Sequence, residues 1–324
     1  MDAIIAAGAV RASRVPTESG GRADLEEVGG AELIEDAELR VHRADRGAPA
    51  PATLSFLDGI QRWIVRYYDG ATPIVHAYVA AAIRRRGADR RLRTVTEAAR
   101  ELHVAPLGAL QPAVRAALES SGIDLLDAAD AQGAQPGRAI EAIRRVVENE
   151  RVRMEKGIGE RYAATLDRDE WLIVDGVLSE SATLAAHPRA LGVIKSHGAQ
   201  YFEGAALTSV FTLAHGARTS VFRPRGRAHH DVFSWYLRLW PWEGNDASFG
   251  LVRVEARADQ STVASASGVS GWLVRERTPI ASPDPRWDRL LYPIHDVETY
   301  LKARAPRGLV PAGAPLLPYP QPIE

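Results

Sequence analysis

The 324-residue sequence contains no cysteine. Disulfide bonds and thiolate-bound zinc are therefore excluded, and a metal ion would have to be bound by carboxylate, histidine or backbone oxygen. Such ligands favour manganese or magnesium. Long hydrophobic runs are also missing, since no apolar stretch approaches the ~20 residues needed to span a bilayer. The first ten residues lack a basic leader, so the sequence predicts a cytoplasmic protein with no membrane partner.

An excess of basic charge is absent as well. The chain has 40 Lys and Arg residues against 41 Asp and Glu residues, a formal net charge of −1. This balance excludes a globally basic nucleic-acid binder but is compatible with a local basic patch. Lysine is scarce and most cations are arginines. Arginine suits bidentate phosphate contacts, although enrichment in Arg and Ala also follows from a GC-rich genome.

Composition divides the chain into three segments. Residues 1–50 are rich in Gly, Ala and Glu with weak periodicity, and we interpret them as a partly ordered N-terminal extension. Residues 51–305 carry the strand and helix patterns of a single α/β domain. Residues 306–324 contain six prolines and are predicted to be a C-terminal tail.

Two Asp-Gly pairs follow short apolar runs. Residues 54–57 lead into Asp58-Gly59, and residues 172–174 lead into Asp175-Gly176. Unbroken apolar runs predict strands buried on both faces, and active-site groups in α/β sheets tend to lie where strands end. We therefore expect Asp58 and Asp175 to converge, and two carboxylates on adjacent strands would form a divalent-metal site. The alternative for either pair is an ordinary turn.

The remaining patterns predict a mixed sheet with flanking helices and a helical insertion. Strands over residues 60–68 and 73–83, joined by a hairpin turn at Asp69-Gly70, would continue a meander that begins with the strand ending at Asp58. Residues 94–165 are predicted to be helical, including one long helix over 138–164. Further strands are predicted over residues 207–213, 219–222, 232–240 and 249–256, and a short helix before residue 305.

A third carboxylate is expected from the long helix. Its candidates are Glu148, Glu150, Glu155 and Glu160. We favour Glu155, which follows an apolar methionine, and Glu148 is the second choice; an exposed surface glutamate is the alternative for each. Divalent cations held by three carboxylates bridge a phosphate, generate a hydroxide nucleophile and stabilise the leaving oxygen.

The order of these motifs resembles the NurA nucleases over residues 52–305. The resemblance rests on Leu57-Asp-Gly59, Arg153-Met-Glu155, Ile173-Val-Asp-Gly-Val-Leu178, Gly192-Val-Ile-Lys195, residues 213–222, Trp235-Tyr-Leu-Arg238, Arg253-Val-Glu255 and Tyr292-Pro293. It implies an RNase H-like fold, manganese-dependent cleavage of DNA and a homodimer. It also implies partnership with the hexameric ATPase HerA in DNA end processing, and relatives of this pair occur in anti-phage systems.

The resemblance assigns roles to individual residues. Asp58 and Asp175 match the two metal-binding aspartates of the family, and Glu155 matches its helix glutamate. Lys195 matches a family lysine, for which we expect an electrophilic role toward the scissile phosphate; an ordinary surface lysine is the alternative. Tyr292 matches a tyrosine before proline and joins the predicted catalytic set.

One position departs from the family pattern. The family often has a histidine or aspartate eight residues after the tyrosine, where this chain has Tyr300. His295 and Asp296 lie nearby and are candidate substitutes.

The sequence therefore predicts a manganese- or magnesium-dependent deoxyribonuclease that acts with a HerA-like ATPase. The departure at Tyr300 leaves open a non-catalytic adaptor that docks on the ATPase ring and guides DNA. A third alternative is an enzyme with the same metal chemistry that acts on RNA or nucleotides.

Overall fold

The protein is described by a computed structural model that covers residues 2–11, 27–87, 89, 91–196, 199–226, 230–242, 245–277, 291–306 and 309. The predicted C-terminal tail lies outside the described residues except for Pro306 and Leu309.

The chain is a mixed α/β protein. Its strands are β1 Val10–Arg11, β2 Glu27–Val28, β3 Ala31–Leu33, β4 Val41–Arg43, β5 Thr53–Asp69, β6 Thr72–Arg86, β7 Leu92–Ala105, β8 Asp124–Asp127, β9 Glu170–Asp175, β10 Ala190–Ile194, β11 Ala199–Gln200, β12 Ala217–Thr219, β13 Phe222–Pro224, β14 Val232–Arg238 and β15 Leu251–Arg257. Its helices are α1 Asp2–Ala6, α2 Pro112–Glu119, α3 Pro136–Ala163, α4 Ala182–Ala186, α5 Gly204–Phe211, α6 Gln260–Arg275 and α7 Tyr292–Arg304, with short 3-10 helices at Leu107–Ala109 and Ala129–Ala131. Within the described ranges, no helix is long and apolar enough to cross a membrane.

Thirteen strands form one mixed sheet. Its main path runs β3-β13-β14-β15-β10-β9-β5-β6-β7-β8, while β1 pairs with β5 and β12 bridges β14 and β4. The strands β5, β9 and β10 are parallel neighbours, and β5, β6 and β7 form an antiparallel meander. The predicted mixed sheet is thus confirmed, but the meander consists of β5, β6 and β7 and not of the three strands predicted between residues 54 and 83.

The strand β5 is longer than the sequence suggests. It runs without a break through Asp58-Gly59, so the prediction that a strand ends there is wrong. Pairing with β6 holds these two residues in the strand, with Asp58 opposite Ala82. The parallel pairing with β9 nevertheless stops one residue earlier, at Leu57 opposite Val174. Asp58 therefore lies where the central parallel pair ends, although its own strand continues.

Three other assignments differ from the sequence patterns. Residues 94–102 were predicted to be helical but belong to β7, since pairing with β6 overrides the helix propensity of their Ala, Glu and Arg residues. Residues 207–213 were predicted to be a strand, yet α5 covers most of them and packs against an aromatic cluster. The sequence patterns did not indicate α6, which begins where Asp259 accepts a hydrogen bond from the Ser261 N–H at 2.6 Å.

Helices cover both faces of the central sheet. The face that carries Phe56 and Ile60 packs against α6 and α7. The opposite face, which carries Leu57 and Val65, packs against the long helix α3. The prediction of a long helix is confirmed, with bounds close to those expected.

Candidate functional site

Asp58 provides the centre of the candidate site. Alternation along β5 places its side chain on the same face as Phe56 and Ile60, the face covered by α7. The side chain lies inside the protein, since the residue is only 6% exposed. The Gly59 N–H donates to its Oδ1 at 2.8 Å. A carboxylate buried in this way needs further polar or charged partners.

Asp175 and Lys195 come from the two neighbouring strands. Asp175 is the last residue of β9, and Lys195 directly follows β10. Their side chains meet, with Lys195 Nζ 2.7 Å from Asp175 Oδ2. The turn after Asp175 requires glycine, because Gly176 has φ +135°. The end of the parallel strands therefore presents one carboxylate and one cation beside Asp58.

Glu155 of α3 lies against β5 at Gly59, on the face of the strand that α3 covers. A Cβ on Gly59 would lie only 2.2 Å from Glu155 Oε1 and 2.8 Å from its carboxyl carbon. The missing side chain at position 59 is thus what allows the Glu155 carboxylate to rest against β5. Arg151, one helical turn earlier, forms an ion pair with this carboxylate. Among the four candidate glutamates, Glu155 is the one in this position.

A fourth carboxylate, Glu298 of α7, was not foreseen. Its negative charge acts on Asp58, and its side chain is only 13% exposed. Lys302 Nζ contacts Glu298 Oε1 at 2.7 Å, and His295 Nδ1 lies 4.0 Å from Oε2. The sequence places Glu298 two residues before Tyr300, but only the packing of α7 over the sheet brings it to β5.

The electrostatics of Asp58 reflect this convergence. Burial raises the pKa of the Asp58 carboxyl well above its usual value, and the negative charge of Asp175 raises the pKa further. Lys195 opposes the rise, while Glu155 and Glu298 add to it. Burial also raises the pKa of Glu155, against the lowering effect of Arg151. Negative charges of neighbouring carboxylates therefore act on the buried Asp58, and a divalent cation would relieve this repulsion.

The residues predicted around Tyr292 do not gather at Asp58. Tyr292 is the first residue of α7 and is 50% exposed. The Tyr300 hydroxyl donates to Glu97 Oε2 at 2.7 Å, and Asp296 forms an ion pair with Arg84. Of these residues, only His295 has a described contact with Glu298.

The loop after Asp175 is held in place by a buried glutamate of β15. Glu255 Oε2 accepts hydrogen bonds from the N–H groups of Leu178 at 2.8 Å and Ser179 at 3.3 Å. Its Oε1 accepts from Arg253 at 2.6 Å. The loop also folds onto Gly192, where a Cβ would lie 2.5 Å from the Gly176 carbonyl oxygen. Glu255 and Gly192 therefore fix the backbone that carries Asp175.

A more compact cluster of ligand-type side chains lies elsewhere. In the described part of the chain, Glu35, Asp36 and His42 form the one group of three or more such residues whose ligand atoms all lie within 4.8 Å of one another. Its carboxylates already have partners. Arg218 donates to both oxygens of Glu35 at 2.7 and 2.8 Å, and Ser220 and His42 contact Asp36 Oδ2 at 2.7 Å. This cluster ties the N-terminal segment to β12 rather than offering open ligand positions.

The donor set around Asp58 suits a hard divalent cation. It consists of carboxylate oxygens without sulfur, which manganese and magnesium prefer. The group is looser than the Glu35 cluster, and Lys195 and Arg151 are bound to two of its members. A cation would have to displace or share these ion pairs.

No protein-family model matches the chain, and no curated protein matches it significantly.

Proposed function

We propose that this protein is a metal-dependent deoxyribonuclease of the NurA type. The observation that carries the proposal is that Asp175, Glu155 and Glu298 act with their negative charges on the buried Asp58, whose pKa is raised first by burial and then by these charges. Carboxylates from two parallel strands and two helices that repel one another in this way are expected where a divalent cation binds.

The strand order supports an RNase H-like fold. Three antiparallel strands, β5, β6 and β7, are followed along the chain by the short β8, which adds in parallel beside β7, and then by β9 and β10, which add in parallel on the other side of β5. Apart from β8, the order β7-β6-β5-β9-β10 is the one expected of that fold. Asp58 on the first strand and Asp175 at the end of the fourth are the positions where it carries metal-binding carboxylates.

Each residue has a role in the proposed reaction. Asp58, Glu155 and Asp175 would hold manganese or magnesium, which when bound supplies Lewis acidity and an activated water for phosphodiester hydrolysis. Lys195, positioned by Asp175, binds a non-bridging oxygen of the scissile phosphate. Glu298 completes the acidic ring in place of the family residue that Tyr300 replaces. Tyr292, at the exposed start of α7, is a further substrate contact.

The proposed partners follow from the NurA resemblance. They are DNA, a hexameric HerA-like ATPase and a second copy of this chain in a homodimer. The proposed setting is DNA end processing or anti-phage defence.

The test is cleavage of linear single- and double-stranded DNA with Mn²⁺. Wild type is compared with Asp175→Asn and Asp58→Asn, which keep side-chain volume. The control is Glu148→Gln, because Glu148 is an exposed glutamate of α3, the helix that carries Glu155, and contacts Arg144. Cleavage by wild type and the control, with a loss of at least about 100-fold in both aspartate variants, supports the proposal. Equal cleavage by all four proteins contradicts it. Parallel reactions with RNA and nucleotides test the alternative substrates.

A non-catalytic adaptor is the second candidate, favoured by the two ion pairs Lys195–Asp175 and Arg151–Glu155, which neutralise carboxylates without a metal. Mn²⁺ binding by the isolated protein, followed by electron paramagnetic resonance, separates the two. The nuclease binds Mn²⁺ and loses it on Asp58→Asn, whereas an adaptor leaves Mn²⁺ free and cuts no DNA even with a HerA-like ATPase present.

A further inference from the structure

A group of arginines on the α6 side of the sheet has no acidic partner among the described residues. Arg46 lies in the loop between β4 and β5, Arg275 is the last residue of α6, and Arg277 follows two residues later. In the part of the chain that the structure describes, no carboxylate forms an ion pair with any of the three. Other half-buried or buried arginines do have such partners, for example Arg84 with Asp296, Arg86 with Glu276 and Arg218 with Glu35.

Two of these guanidinium groups converge on a single histidine. Arg46 Nη2 lies 3.2 Å from His215 Nε2, and Arg277 Nη1 contacts the same nitrogen. A Cβ on Gly216 would lie 2.6 Å from Arg46 Nη2, so the glycine leaves room for this approach. Burial and the charge of Arg46 lower the pKa of Arg277, as expected for like charges held close together.

The protein holds both guanidinium groups in fixed positions. Arg277 stacks on the Trp240 ring, 3.9 Å from its centroid, and donates to the Leu239 carbonyl at 2.7 Å. Arg275 donates to the carbonyl oxygens of Arg46 and Ala48, which fixes the loop that carries Arg46. Since a guanidinium has five N–H donors, the described bonds of Arg46 Nη2 and Arg277 Nη1 leave donors on both groups for a ligand.

The ligand that matches this arrangement is an anion with several oxygens. Two preorganised guanidinium forks beside an aromatic ring suit bidentate contact with phosphate. A negatively charged phosphate between them would also reduce the repulsion between Arg46 and Arg277.

The cluster also lies near the candidate nuclease site. The Tyr292 N–H donates to the Glu276 carbonyl at 3.0 Å, which places the start of α7 beside Arg277. Glu298 follows six residues later (298 − 292), roughly 9 Å along the helix axis. One helix therefore connects the arginines to the carboxylates around Asp58.

We propose that Arg46 and Arg277, positioned by Arg275 and His215, bind a backbone phosphate of the DNA strand that enters the Asp58 site. The proposal rests on the nuclease function proposed above and adds a substrate contact outside the carboxylate cluster. It is a binding site for the phosphodiester backbone and is not specific for base sequence.

The test measures DNA binding without cleavage. Fluorescence anisotropy of labelled single- and double-stranded DNA is recorded in EDTA at stepped NaCl concentrations. The variant is Arg46→Ala/Arg277→Ala, and the matched control is Arg93→Ala/Arg115→Ala, which removes two exposed arginines paired with Asp89 and Glu119. Both double variants lose the same net charge.

The expected result is affinity roughly tenfold weaker for the Arg46/Arg277 variant and a salt slope on duplex DNA smaller by about 0.9, because the two arginines bind one phosphate. The control should match wild type. Arg277 packs on Trp240, so its removal also changes packing; the exposed Arg46→Ala variant is therefore measured alone as well, and it should lose affinity and slope in the same direction but by less.

The proposal is overturned if both variants that lack Arg46 bind DNA with the affinity and salt slope of wild type. It is also overturned if the wild-type protein binds no DNA. Failure of the nuclease assignment is a different result: wild type binds DNA in EDTA with the predicted dependence on Arg46 but does not cut it with Mn²⁺.

Discussion

Replacing Gly59 with alanine should inactivate the proposed site without unfolding the protein. The new Cβ would lie 2.2 Å from Glu155 Oε1, whereas ordinary contact begins at 3.4 Å. The carboxylate must therefore retreat by about 1.2 Å (3.4 − 2.2). Misplacement of a reacting group by about 1 Å costs about 100-fold in rate. We expect a decrease of that size in manganese-dependent DNA cleavage, together with weaker Mn²⁺ binding.

Stability should change little in this variant. The three nearest atoms to the new Cβ, which are Oε1, Cδ and Cγ, all belong to the Glu155 side chain and none to the backbone. Alanine in a strand is also favoured over glycine by roughly 0.5–1 kcal/mol. Thermal unfolding followed by circular dichroism checks that the fold is retained.

Gly157→Ala provides the matched control. Gly157 lies on α3, two residues after Glu155, and its Cβ would meet only Arg161 Nη1 at 3.4 Å. This variant should cut DNA as wild type does and be more stable by up to about 1 kcal/mol. Wild-type cleavage and Mn²⁺ affinity in Gly59→Ala would refute the idea that Glu155 acts from its position over β5.

Three further predictions concern stability. Asp58→Asn, measured in EDTA, should melt at a higher temperature than wild type at pH 7–8, and the difference should shrink toward pH 4. The reason is that the pKa of Asp58 is raised in the folded protein. The contribution of this carboxyl to folding stability is therefore present below the unfolded pKa of 3.8 and lost as pH rises. Burial and the nearby His76 lower the pKa of His103 to about 4. The free energy of unfolding from urea titrations should therefore fall by up to about 3 kcal/mol between pH 6.5 and 4 in wild type, and by less in His103→Gln. The same pH dependence in both proteins would contradict this. Glu276→Gln should lower the free energy of unfolding by about 3–5 kcal/mol, because it leaves the buried Arg86 without its ion-pair partner; a loss no larger than that of an exposed-pair variant would show that solvent reaches Arg86.

Local sequence patterns identified the helices, strands and turns whose signals lie in residues close together in the sequence. The helix α3 shows apolar residues at helical spacing over its whole length, and β9 is a short apolar run that ends in a carboxylate. The hairpin turn at Asp69-Gly70 was also predicted, and Gly70 has the positive φ, +57°, that such a turn requires. These features depend on backbone geometry and on neighbours close in sequence.

Secondary-structure predictions failed where pairing between distant strands decides the structure. Residues 94–102 have helical composition, but the exposed edge of β6 pairs with them along most of β7. The same meander pairing carries β5 through Asp58-Gly59, a dipeptide that favours turns in isolation. A sequence pattern does not contain the hydrogen bonds that a distant strand supplies.

By itself, the sequence determined the types of residue available for chemistry: carboxylates at Asp58, Glu155 and Asp175, a cation at Lys195 and no thiol. Tertiary structure alone decided that Glu298 joins the acidic group and that Arg46 meets Arg277. Each pair comes from segments more than 200 residues apart (298 − 58 and 277 − 46). They come near each other because helices pack across a sheet whose strand order differs from the order of the chain, and short-range periodicity carries no information about that packing.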